Sequence, residues 1–145
     1  MISYNNELTE FIDRSDTIVL VSDQYSGSTK VAWIDGRHVI MVSAWLYEKS
    51  LKSGKWARAL RALLMHEKGH IVHGDCRRKT AENAHRRDVP VLSEAHADRY
   101  AAICGFGRDL IMAEKMIIAK NWAWLHAGDM YARIKLIKRW LKNHA

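Results

Sequence analysis

Two histidines four residues apart, His66 and His70, are the chemical centre of the sequence. Residues four apart on an α-helix leave the same face about one turn apart, so both imidazoles can reach one metal ion. Such nitrogen ligands suit zinc, at about 2.0–2.1 Å. Glu67 would lie beside the metal without being a ligand, where it could take a proton from a zinc-activated water. The pentapeptide 66–70 therefore predicts a Zn²⁺ site with an adjacent general base.

A third ligand has to come from elsewhere, because a catalytic zinc normally has three protein ligands and one open position. Glu94 is the best candidate, and Asp98, four residues further on, would share its helical face. We expect Asp98 to accept the second N–H of a ligating histidine and so fix its tautomer. Alanines at 95, 97, 101 and 102 would let this helix approach another closely. Cys76 stays open as a different third ligand, since thiolates also bind zinc.

Together the two motifs resemble those of a known family. An H-E-x-x-H helix, a spacer of some two dozen residues and then E-x-x-A-D-R-Y-A-A are similar to the gluzincin metallopeptidases, with the spacing of the ImmA/IrrE-type peptidases and the minigluzincins. The resemblance covers roughly residues 30–105. The chain departs from the family in its very basic spacer, and in Ile-Cys-Gly-Phe at 103–106 where the family has Leu-Met-Pro. The roles it implies are zinc ligands for His66, His70 and Glu94, general base for Glu67, and partner of a ligating histidine for Asp98.

The resemblance implies a zinc metallopeptidase, more specifically an endopeptidase, that hydrolyses peptide bonds with a zinc-activated water. The alternative is a non-catalytic zinc-binding interaction protein or a basic nucleic-acid-associated regulator. Glu67 argues against the alternative, because a structural zinc site has no use for a general base. A residue that stabilises the oxyanion should also exist. Four candidates stay open: His73, His96, Tyr100 and Tyr131.

The composition is that of a globular chain, with 145 residues of which 48% are hydrophobic and 27% charged. We expect one zincin-like metallopeptidase domain over residues 1–145. No run approaches the roughly 20 apolar residues of a membrane span. The polar segment 1–17 has no signal-peptide core, so the predicted location is the cytoplasm. Cys76 and Cys104 lack the C-x-x-C spacing and are predicted to be thiols rather than a disulfide.

The formal net charge of +7 favours anionic partners beside a protein or peptide substrate. Basic residues concentrate at 77–87 and 133–142, where they would bind nucleic acid or an acidic protein weakly, or form a solvated face. The first segment joins the two ligand helices and would border the active site. Trp122, Trp124 and Trp140 are interpreted as packing residues rather than a membrane or base-stacking surface.

The hydrophobic patterns predict an α+β fold. A small antiparallel sheet of about three strands, 17–22, 30–34 and 38–43, would pack on the active-site helix, the glutamate helix and the C-terminal helices. Asp35-Gly36 predicts a type I′ hairpin turn, with positive φ at both residues. The run 39–43 is either a substrate-pairing edge strand or an internal strand.

The predicted helices leave a connector between sheet and active site. They cover 5–14, 55–73, a stretch after Pro90 with Ser93 as N-cap, 108–120 with 121–124 as a continuation, and 128–143. Residues 44–54 are predicted to be that connector. Gly74 is predicted to end the active-site helix in the left-handed conformation, and Gly105-Phe106-Gly107 to break the chain after the glutamate helix.

Overall fold

A four-stranded sheet with helices packed against it gives an α+β architecture, as predicted. The computed structural model describes residues 1–76, 88–120 and 127–144, with the backbone alone for 88–93 and 127–131. The strands are β1 (Ile2–Tyr4), β2 (Thr17–Ser22), β3 (Thr29–Ile34) and β4 (Arg37–Ser43). Their order in the sheet is β1-β2-β4-β3.

The sheet is mixed, so the prediction of about three antiparallel strands is wrong. β1 pairs with β2 and β3 with β4 antiparallel, while β2 and β4 are parallel. Burial explains this order: most of β4 is buried, including Val39, Ile40 and Val42, whereas β3 has no buried residue. A nearly continuous apolar strand belongs inside a sheet, where both faces are covered. The fourth strand, β1, is short and exposed, and its sequence has no alternation that would predict it.

The turn between β3 and β4 follows the sequence prediction. Asp35 has φ 50° and Gly36 has φ 80°, and Ile34 pairs with Arg37 across them. A two-residue type I′ turn requires this pair of left-handed conformations, and its twist matches that of the flanking strands. The hairpin prediction is therefore confirmed, and it sets β3 on the outer side of β4.

The α-helices match most of the predicted segments. They are α1 (Asn6–Ile12), α2 (Ala44–Lys52), α3 (Gly54–Val72), α4 (Asp88–Ala101), α5 (Gly107–Lys120) and α6 (Ala127–His144). A π-helical segment, Ala102–Phe106, joins α4 to α5, and the break predicted there appears as Gly105 at φ 92°. The continuation predicted at 121–124 lies outside the described residues.

Two helix predictions are wrong. The predicted connector 44–54 is largely the helix α2, which follows β4 without a turn residue between them. The second concerns α4, which begins at Asp88, so Ser93 lies inside the helix instead of capping it. Pro90 does not prevent this start, because residues in the first turn of a helix have no intrahelical use for their N–H.

The helix α3 lies in the middle of the fold, in contact with α2, α4, α5 and the sheet. Its buried side chains join those of β2 and β4 in one hydrophobic cluster. α3 and α4 approach very closely at Gly69, where a Cβ would lie 2.8 Å from Ala97 Cα and 2.9 Å from Ala97 O. Ala97 is fully buried at this crossing. The close approach predicted from the alanines of α4 is therefore present.

Surface character, the two cysteines and the tryptophans were also predicted from the sequence. Within the described ranges, no helix combines the length and apolar character that crossing a bilayer requires. No disulfide joins Cys76 and Cys104. Trp140 is half-buried and stacks on His144, with 4.3 Å between ring centroids. Trp122, Trp124 and the basic segment 77–87 lie outside the described residues.

Candidate metal centre

Three side chains with metal-binding atoms converge between α3 and α4. His66 and His70 leave the buried face of α3 one turn apart, and their Nε2 atoms are 3.2 Å apart. Glu94 of α4 spans both, with Oε2 3.1 Å from His66 Nε2 and Oε1 3.1 Å from His70 Nε2. The structure thus brings together the three residues that the sequence analysis named as ligands, all within 4.8 Å of one another. Cys76, the other candidate ligand, is not part of this group.

The arrangement fits a zinc ion. Donor atoms at about 2.0–2.1 Å from a tetrahedral centre lie about 3.3 Å from one another, close to the separations between these three side chains. The two Nε2 atoms and the Glu94 carboxylate together form a group that could hold a metal ion. The side chain of Glu94 is 37% exposed, so the group reaches solvent on one side. A set of three N and O donors with such access is typical of catalytic sites.

Each histidine has an aspartate on its other ring nitrogen, Nδ1. His66 Nδ1 lies 2.7 Å from Asp98 Oδ1, one turn beyond Glu94 on α4. His70 Nδ1 lies 2.9 Å from Asp75 Oδ2, in the turn that ends α3. Such pairs hold Nδ1 protonated and leave Nε2 as the ligand atom. Asp98 is where the sequence analysis expected a histidine partner, whereas it did not identify Asp75.

The turn after α3 brings Asp75 back to its own helix. Gly74 adopts φ 71°, the left-handed conformation predicted for it, and Asp75 N donates to His70 O at 3.0 Å. This reversal at a helix end is a usual role for glycine. It returns the carboxylate of Asp75 to the ring of His70. The signal in the sequence was the aspartate that directly follows the glycine cap.

Charge is balanced tightly around the three ligands. Burial opposes the charge on His66, but the Asp98 and Glu94 carboxylates outweigh it and raise the pKa of His66 to about 10. The pKa of His70 is also raised, because its contact with Glu94 outweighs burial. Burial would raise the pKa of Glu94, yet the two histidines hold it well below its usual value. Without a metal, the surrounding carboxylates therefore favour the protonated, positively charged forms of His66 and His70. Binding of a metal ion would displace the protons from their Nε2 atoms.

Arg133 of α6 contacts three carboxylates at this site. Its Nε donates to Asp98 Oδ2 and its Nη2 to Asp98 Oδ1, both at 2.8 Å. Nη2 also donates to Glu114 Oε1 at 3.0 Å, and Nη1 lies 3.2 Å from Glu94 Oε2. The sequence analysis had placed Arg133 only in the basic segment 133–142. The other cations of this segment are exposed, and adjacency to a core residue does not distinguish Arg133 from them, because Lys135 also neighbours Ile134.

Glu67 lies next to the ligands and is buried, at 5% exposure. Thr29, the first residue of β3, donates its hydroxyl to Glu67 Oε1 at 3.1 Å. Tyr25 precedes β3 and donates its O–H to Thr29 O at 3.1 Å. Burial and the nearby Glu67 charge raise the pKa of Tyr25 to about 12. The sequence analysis did not identify Thr29 or Tyr25, since a loop and a strand start carry no motif.

The strand beside the site is β3 rather than β4. β4, which contains the run 39–43, lies between β2 and β3, so its interpretation as an edge strand is wrong and the internal-strand alternative is right. Among the described strands β3 is the edge on this side, and it contacts α3.

The residue that would stabilise an oxyanion has four candidates from the sequence. The rings of His73 and His96 stack on each other with 4.7 Å between centroids, and both residues are exposed. Tyr100 is half-buried next to Gly69. The side chain of Tyr131 lies outside the described residues, as do His85 and His126.

Comparison with known proteins adds no relative. No family model matches the chain, and neither a curated protein nor a solved structure matches it. A functional proposal therefore has to rest on the geometry of the site and on the resemblance of the two motifs.

Proposed function

We propose that this protein is a zinc-dependent peptidase of the gluzincin type, an endopeptidase with His66, His70 and Glu94 as zinc ligands. The observation that carries the proposal is the triangle of donor atoms, with Glu94 3.1 Å from the Nε2 atoms of both histidines. Its side lengths suit a tetrahedral zinc. Glu67 follows His66 directly and stays outside the ligand group, as a general base should. A cytoplasmic location stays a prediction from the sequence.

Glu67 is the general base of the proposed reaction. A bound zinc ion would supply Lewis acidity, which polarises the scissile carbonyl and lowers the pKa of a water molecule to about 7. Glu67 takes a proton from the attacking water and returns it to the leaving amine. Thr29 donates to Oε1 and so helps to orient the carboxylate for this transfer. Asp98 and Asp75 keep the Nδ1 protons of the two histidines in place.

The edge strand β3 supports an extended peptide as substrate. Its first residue, Thr29, contacts Glu67, so a peptide that paired with this edge would run past the general base. Addition of a strand to an exposed sheet edge is a common mode of peptide recognition, in which main-chain hydrogen bonds supply affinity. In the proposed complex the scissile bond lies where the edge passes Glu67.

The experiment that tests the proposal compares Glu67→Gln with the wild type. Both should carry about one zinc per chain and melt at similar temperatures, because glutamine is nearly isosteric and Glu67 is not a ligand. Cleavage of a peptide library should fall by about 10²–10⁴-fold in the variant. Glu48→Gln on the exposed part of α2 is a matched control that should change none of these. Equal cleavage by Glu67→Gln and wild type, or wild-type protein without a transition metal, would refute the proposal.

A second candidate function rests on the outer face of α6. Its exposed cations are Lys135, Lys138, Arg139 and Lys142. We expect weak binding of nucleic acid or an acidic protein, without sequence preference, that falls steeply with salt. Titration of labelled DNA and RNA at low and high salt measures it. If neither binds at low salt, the positive charge serves solubility or an acidic protein partner.

A further inference from the structure

Arg133 is partly buried at the candidate metal centre, unlike the other basic residues of α6. Lys135, Lys138 and Arg139 point to solvent, whereas the side chain of Arg133 is only 22% exposed and lies against the metal centre. We propose that Arg133 is a positioning residue, which holds Asp98 and Glu94 in the geometry that binds the metal. The inference rests on the proposed zinc site and deepens it, because it makes α6 part of a centre whose ligands come from α3 and α4.

The contact with Asp98 has the geometry of a planar fork. Two nitrogens of the guanidinium meet the two oxygens of the carboxylate at 2.8 Å each. A bidentate pair fixes the plane of the carboxylate as well as its distance. Asp98 is 3% exposed, so water is not there to replace these bonds. Arg133 thus determines the direction in which Asp98 Oδ1 faces His66 Nδ1, 2.7 Å away.

Two further contacts extend this control. Nη1 of Arg133 lies 3.2 Å from Glu94 Oε2, the oxygen nearest to His66. Nη2 donates to Glu114 Oε1 at 3.0 Å, and Glu114 on α5 is 1% exposed. Burial raises the pKa of Glu114 to about 8, against the opposing effect of Arg133. Glu114 gives the guanidinium a further buried contact, and nothing in the proposed reaction otherwise requires Glu114.

Removal of Arg133 has two opposite effects on zinc affinity. A cation near Glu94 repels a second cation, so its loss would strengthen binding by charge alone. Its loss would also leave Asp98 buried with His66 as its partner and free to rotate, which weakens binding by geometry. The charge effect is the smaller one, because the Asp98 carboxylate, paired with the guanidinium, already balances its charge. We therefore expect zinc affinity to fall.

The experiment measures metal binding in Arg133→Met and Arg133→Lys, with Arg139→Met on the exposed face of α6 as the matched control. Zn²⁺ affinity is obtained by competition with a chelator, and ligand geometry from the visible spectrum of the Co²⁺-loaded protein. Arg133→Met should lose about 10–100-fold in affinity and change the Co²⁺ spectrum. Arg133→Lys keeps the positive charge but cannot form the bidentate contact with Asp98. Its Zn²⁺ affinity should therefore lie between those of the wild type and Arg133→Met. Arg139→Met should match the wild type.

Each outcome decides the inference. Wild-type or tighter Zn²⁺ binding by Arg133→Met, with an unchanged Co²⁺ spectrum, would overturn it. If the methionine variant does not fold, the lysine variant decides: lower affinity at an unchanged melting temperature of the metal-free protein supports positioning, and wild-type affinity refutes it.

The outcomes also separate this inference from the proposed function. Wild type that binds Zn²⁺ but cleaves no peptide removes the peptidase proposal and leaves the role of Arg133 standing. Wild type without metal affinity overturns both.

Discussion

The two histidines of the site have the same chemistry and different supports. His66 is backed by Asp98, which comes from another helix, is buried, and is fixed by Arg133 from a third helix. His70 is backed by Asp75, five residues along the same chain segment, in a turn that Gly74 closes. The first pair depends on how α3, α4 and α6 pack, whereas the second depends on one local turn. Disturbance of the packing should therefore affect the His66 side first.

The largest expected effect comes from removal of a ligand. His66→Ala and His70→Ala should each lower the zinc content from about one ion per chain to near zero, since each removes one of three protein ligands. Elemental analysis after dialysis measures this.

The melting temperatures of the metal-free variants should differ. His66→Ala leaves the buried Asp98 without one of its partners, so it should melt lower than His70→Ala, whose Asp75 lies nearer solvent. Equal decreases in melting temperature would show that Asp98 and Asp75 support their histidines equally.

The next effect concerns Asp98 itself. Asp98→Ala should weaken zinc binding by about 10–100-fold without abolishing it, because the ligands remain but His66 loses the acceptor on Nδ1. It also leaves Arg133 with fewer carboxylates, so the metal-free protein should be less stable. A zinc titration and a thermal melt measure the two effects. Wild-type affinity in this variant would mean that Asp98 does not orient His66.

Packing between α3 and α4 can be tested at Gly69. A Cβ there would lie under 3.0 Å from two backbone atoms of Ala97, so Gly69→Ala should push the helices apart and cost about 1–3 kcal/mol. Glu94 and Asp98 would move with α4, and zinc affinity should fall as well. Gly54→Ala at the start of α3 is the control, because its Cβ would meet nothing nearer than Arg58 Nη1 at 3.9 Å. Denaturant unfolding of both variants measures the difference in their free energies of unfolding. Similar values would show that α4 can move to accommodate the added methyl group at little cost.

The part of the site that could be predicted from sequence is the part encoded by spacing on one helix. His66, Glu67 and His70 follow from the i, i+4 rule, and Asp98 lies one turn from Glu94. Helical spacing cannot predict the contacts of Arg133 or Thr29, because these contacts join segments far apart in the chain. Their side chains carry no motif, so the fold alone brings them to the site.

The sheet was predicted incompletely for a similar reason. The Asp35-Gly36 turn is encoded locally, and it was predicted correctly. Which strand lies inside the sheet depends on how much of each strand is buried in the fold. β4 is mostly buried and lies inside, whereas β3 has no buried residue and lies at the edge. The sequence therefore left both alternatives open for the run 39–43, and the sheet order shows that it is internal.

The smallest effect should come from Asp75, and it sharpens the comparison most. Its side chain is 13% exposed, and the chain that follows it is held by the turn rather than by another helix. When Asp75→Ala removes the carboxylate, water can reach His70 Nδ1 and accept its hydrogen bond, which replaces most of the lost contact. We expect zinc affinity to fall by less than about 10-fold, below the loss for Asp98→Ala. Asp75→Asn keeps an acceptor oxygen without the charge, so it should lie closer to the wild type and separate hydrogen bonding from charge. Parallel zinc titrations of the three variants give the order, and a loss in Asp75→Ala equal to that in Asp98→Ala would show that packing between helices adds nothing to the support of His66.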